Sequence, residues 1–137
     1  MRRLRFVLLV LFPLTAPPWT RASDERIAKK AAALAPPDLA MLIEKFDADY
    51  KAGLARAQSD EGSDLHHYFV LSRKGRLREG IERETRLAIQ MVRKGDPMNE
   101  VVQRLGILAH LVADANNPFH VSNEDSRLTE SHNDFET

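Results

Sequence analysis

Apolar positions along the chain recur mostly at three- and four-residue intervals, the period of a helix with one buried face. Residues 24–34 (DERIAKKAAAL) predict a short alanine-rich helix whose opening acids suit the positive end of a helix dipole, with Pro36 and Pro37 as its stop. Leu39, Leu42, Ile43, Phe46, Tyr50 and Leu54 line up as the buried stripe of a second helix over 38–57. The acidic stretch SDEGSD (59–64) then reads as a turn, and LHHYFVLS (65–72) fits either a strand or a helical turn. A third helix is expected over 75–94, with Leu77, Ile81, Leu87, Ile89 and Met91 or Val92 on its inner stripe. The charges of RLREGIERETR fall on its solvated face as i to i+4 pairs. Asp96-Pro97 opens a fourth helix, which carries Leu105, Leu108, Leu111 and Val112 as core residues and ends before Pro118. The remainder, 121–137, is polar, with a helical turn expected at SHNDFE. The expected fold is all-α.

Composition narrows this picture. At 137 residues the chain has room for one core, so residues 23–137 are read as a single helical domain. Twenty basic residues balance twenty acidic ones, so attraction to a polyanion would have to be local. The start, MRRLR followed by FVLLVLFPL and ending at Thr20-Arg21-Ala22, has the three parts of a secretory signal over residues 1–22. Its apolar run is far shorter than the roughly 20 residues that span a bilayer, and no transmembrane segment is expected elsewhere. The protein is expected to be secreted or periplasmic, and a monomer. With no cysteine, neither disulfides nor thiolate metal sites are available.

The fourth helix carries the candidate chemistry. His110 and Asp114, four residues apart, project from one helix face and can reach one metal ion. They sit at or within the apolar stripe, where an unpartnered polar group is costly. Asn116, Pro118 and His120 follow, and a turn at Pro118 would return His120 towards the pair. His132 and Glu136 form a second imidazole–carboxylate pair at i and i+4. Upstream lie Asp60 and the doublet His66-His67. All five histidines of the chain belong to these groups. Imidazole and carboxylate without thiolate is the donor set of a hydrolytic zinc site. Seven candidate ligands (Asp60, His67, His110, Asp114, His120, His132 and Glu136) exceed one tetrahedral shell, so two or three ions fit better. His66 is the alternative to His67.

The run HLVADANNPFH (110–120), followed by HNDFE (132–136), resembles the secreted zinc-dependent phospholipases C and the single-strand-specific nucleases that share their all-α fold. His67-Tyr68-Phe69 and Asp60 extend the likeness upstream. The resemblance implies one zinc on Asp60, His67, His110 and Asp114 and a second on His120, His132 and Glu136, with Asp114 bridging towards a third. It also implies Asp60 as general base. The family's third zinc normally uses an N-terminal tryptophan and a histidine of the first helix. Here Trp19 lies within the expected signal, and Asp24 and Glu25 stand where that histidine would be. Relative to the family, the domain reads as shortened at its C-terminus. The implied activity is hydrolysis of a phosphodiester, with phospholipid favoured over single-stranded nucleic acid because basic patches and stacking aromatics are scarce. The rival expectation is a non-catalytic helical domain held together by structural zinc.

Overall fold

A computed structural model describes residues 21–59, 64–70 and 72–121. The described residues form an all-α fold: α1 (Arg21–Leu34), α2 (Pro37–Lys45), α3 (Asp47–Gln58), α4 (Leu77–Lys94), α5 (Met98–Asp114) and the single turn α6 (Pro118–Val121), with a 3-10 turn at Asp64–His66 between α3 and α4. Residues 1–20, which include most of the expected signal and Trp19, lie outside the described residues. Among the described residues, no helix is long and apolar enough to cross a membrane.

Two prolines do more than the sequence suggests. Pro37 begins α2 rather than only ending α1, and Pro118 begins α6. At the first helical position the missing N–H is one that no intrahelical acceptor would have taken, so proline starts a helix as readily as it stops one. The helix expected over 38–57 is two helices broken at Phe46, whose φ of −116° and ψ of 37° lie outside the α region. The inner stripe survives the break: Ile43, Tyr50 and Leu54 are buried, and Leu39, Leu42 and Phe46 pack against them.

Helix α5 is the central element, and α3 lies against it through backbone rather than side chains. A Cβ added to Gly53 would collide with the carbonyl oxygen of Gln103, and one added to Gly106 with that of Tyr50. Glycine in a helix interior costs roughly 0.5–1 kcal/mol relative to alanine. Here it permits the close crossing. One core cluster (Ala28, Ile43, Tyr50, Leu54 and Val102) sits on one side of the crossing, and a second (Ala57, Leu77, Ile107 and Leu111) continues under α4. Tyr50 donates its hydroxyl to the Ala28 carbonyl at 3.4 Å, tying α3 to α1.

Helix α4 is turned on its axis relative to expectation. Its buried line is Leu77, Gly80, Glu84 and Ala88, while Ile89 and Val92 are about half exposed. Glu84 is thus a buried carboxylate inside a charge run expected to be solvated. Arg78 and Glu82 do form the expected exposed pair, at 2.9 Å. The helix ends where Gly95 takes a left-handed φ of 76°. The N–H groups of Gly95 and Asp96 then bond the carbonyls of Val92 and Met91, at 3.2 and 3.0 Å. Val112, expected in the core, is 44% exposed.

Candidate metal centre

Helix α5 presents His110 and Asp114 one turn apart, and both are buried. The described residues of LHHYFVLS form the end of the 3-10 turn followed by an isolated bridge between Phe69 and Lys74, with no sheet strand among them. Its position is set by backbone bonds: Leu77 N–H to the His67 carbonyl at 3.1 Å, and Tyr68 N–H to the His120 carbonyl at 2.8 Å. Gly75, at a φ of 87°, lies so close to the His67 carbonyl that any side chain there would overlap it. These contacts press the 3-10 turn onto α5, placing the His66 ring over the His110–Asp114 pair.

Asp114 is the centre of the arrangement. Its Oδ2 lies 2.7 Å from His66 Nδ1 and 3.5 Å from His110 Nε2, and its Oδ1 lies 3.8 Å from His120 Nδ1. The His66 and His110 rings meet edge to face, 5.3 Å between centroids. His66, His110, Asp114, Asn117 and His120 are each no more than 2% exposed. Such a concentration of polar groups in a small core is expensive unless every member is partnered. The turn after α5 contributes two further elements. Asn117 N–H bonds the Asp114 carbonyl at 2.9 Å and His120 N–H bonds the Asn117 carbonyl at 3.0 Å. His120 then donates Nδ1–H to the His66 carbonyl at 2.8 Å, which in the neutral ring leaves Nε2 as the acceptor nitrogen.

One nitrogen from each of His66 and His110 and one oxygen of Asp114 lie within 4.8 Å of one another, a buried group that could hold a metal ion. Donors at zinc distances around a tetrahedral ion are spaced by ~3.3 Å, so closing this group on an ion takes only small side-chain shifts. Three protein donors would leave a coordination position open.

The expected residues distribute as follows. His110 and Asp114 come together, and the ring of the doublet that joins them is His66. His67 instead lies flat on His120, 4.7 Å between centroids and 9° between planes, and also stacks with Phe69 at 5.6 Å. His120 returns to the cluster as the turn at Pro118 suggested. Asn116 points elsewhere: it is exposed and its Nδ2 donates to the Val112 carbonyl at 2.8 Å, while its neighbour Asn117 is the buried one. Asp60, His132 and Glu136 lie outside the described residues. No family profile, curated protein or solved structure matches the chain.

Proposed function

We propose that the chain is an exported zinc-dependent phosphodiester hydrolase whose first ion is held by His66, His110 and Asp114. The observation that carries the reading is the buried Asp114 carboxylate shared among imidazoles, with His66 Nδ1 at 2.7 Å and His110 Nε2 at 3.5 Å. Nitrogen and oxygen donors without sulfur suit zinc in a hydrolytic role. When bound, the ion would polarise a phosphoryl oxygen and make water acidic enough to attack near neutral pH. The chain's own residues do the positioning: the His120 bond to the His66 carbonyl fixes the turn that carries the His66 ring, and α5 fixes the other two donors. Asp60 as general base, and His120, His132 and Glu136 as holders of a second ion, complete the proposal, with a phospholipid as the favoured substrate.

A second reading is favoured by one feature. All three donors are at most 2% exposed, as in a saturated structural site rather than one that must admit substrate. In that reading the metal only joins the 3-10 turn to α5. Elemental analysis of the purified zinc-loaded protein, followed by assays on a chromogenic phosphodiester, phosphatidylcholine vesicles and single-stranded DNA, separates the two. Bound zinc with turnover supports the hydrolase; bound zinc with no turnover on any of them supports the scaffold.

A further inference from the structure

Beside the metal group, and sharing His66 with it, lies a polar cavity of about 340 Å³. Arginines from three places line it: Arg56 at the end of α3, Arg83 on α4 and Arg104 on α5. The buried carboxylate in this wall is Glu84. Its Oε1 accepts from Arg83 Nε at 3.0 Å and lies 2.9 Å from Arg83 Nη2, and its Oε2 accepts from Arg104 Nη1 at 2.8 Å. Glu84 therefore acts as a brace. Fixed on the inner line of α4, it holds two guanidiniums on the cavity wall.

Charge then decides what the cavity suits. Three guanidiniums against one carboxylate leave a surplus of two positive charges among the described lining residues. The chain as a whole is neutral, so this positive field is local and not part of a general basic surface. Each guanidinium carries five N–H donors in a planar fork matched to tetrahedral oxyanions, and Glu84 engages only part of those on Arg83 and Arg104. Among the described residues Arg56 has no acidic partner. We propose that this cavity binds a phosphate monoester dianion, held by Arg56, Arg83 and Arg104. Its bearing on substrate rests on the phosphodiester reading above: a substrate seated at the metal group and reaching this cavity carries a second phosphate beyond the one being hydrolysed.

The test is calorimetric titration of the full chain with inorganic phosphate at constant ionic strength, both zinc-loaded and after EDTA. Saturable one-to-one binding in both states is expected. Arg56→Gln and Arg83→Gln should each weaken it by about fivefold, the upper end for one exposed charge contact. Arg86→Gln, which removes the same charge from α4 outside the cavity, should leave it unchanged. Circular dichroism establishes that each variant is folded. Displacement of phosphate by glycerol phosphate or by thymidine monophosphate supports the proposal and shows whether a lipid headgroup or a nucleotide is the better source. Displacement by neither overturns it. Binding lost on EDTA treatment, or weakened equally by Arg86→Gln, also overturns it. Phosphate binding by a protein that takes up no zinc on loading and hydrolyses no phosphodiester would sink the proposed function and leave the phosphate cavity standing.

Discussion

Replacing Asp114 with asparagine isolates the charge at the centre of the cluster. The two side chains are nearly the same size, so packing in the 1% exposed position is preserved. An amide oxygen can still accept from His66 Nδ1, now 2.7 Å away. What disappears is the charge assistance of that bond, which is about 1 kcal/mol when a buried hydrogen bond goes from ionic to neutral. Without metal, the melting temperature should therefore drop by about 3–4 °C, the scale set by the unfolding entropy of a domain of this size. With metal the difference grows. Zinc at a thousandfold excess over its dissociation constant adds about 4 kcal/mol to the wild type. Losing an anionic ligand should weaken binding by about a hundredfold or more, judging from the 10–100-fold effects of merely outer-shell changes. The excess falls to about tenfold and the added stability to about 1.4 kcal/mol. Thermal unfolding with and without zinc reads both quantities on one preparation. If zinc raises the melting temperature of Asp114→Asn as much as that of the wild type, Asp114 is not a ligand. If it raises neither, the cluster is a polar core.

Further expectations follow from other parts of the molecule. Gly106→Ala gains helix propensity but forces the added carbon into the Tyr50 carbonyl, so urea denaturation should show a loss of about 1–3 kcal/mol; a neutral or stabilising result would mean that α3 and α5 cross farther apart. Burial pushes the Tyr50 phenol above its ordinary value of 10.0. The stability from keeping it neutral is whole below pH 10.0 and is lost as pH rises from there through the raised value. Tyrosinate absorbance on alkaline titration should lose its later-titrating component in Tyr50→Phe, and an unchanged profile would contradict the burial argument. Asp60→Asn should lower phosphodiester turnover by roughly 10² to 10⁴ with bound zinc largely retained if Asp60 is the base, and full activity in that variant removes it from that role.

How much of this was legible in the sequence depends on how local the cause was. Helices with a periodic stripe and nearby caps, such as α1 and α5, could be read to within a few residues because both signals lie in the segment itself. The break at Phe46 could not, since the apolar stripe runs through it unchanged. Prolines 37 and 118 were ambiguous because one residue type marks both the end of one helix and the first turn of the next. Within the site, His110 and Asp114 were legible because their four-residue spacing fixes a shared face. The doublet His66-His67 was not, because outside regular structure neighbouring side chains point in different directions and it is the contacts of Tyr68, Gly75 and Leu77 that select which ring faces α5. Asn117 carried no signal beyond its position beside Asn116. Glu84 was hidden by its surroundings: seven of the eleven residues of RLREGIERETR are charged, and burial of one of them depends on the rotation of α4 against α5. The balanced net charge likewise gave no hint that three arginines from separate helices meet in one cavity.

The central claim is that His66, His110 and Asp114 together hold one metal ion, and zinc content per chain tests it most directly. Elemental analysis after zinc loading and desalting should give at least one equivalent in the wild type. One equivalent should be lost in both His66→Ala and His110→Ala, while His67→Ala, which removes the ring stacked on His120 and Phe69, should keep it. Wild-type protein with no bound zinc, or equal retention in His66→Ala and the wild type, would contradict the account.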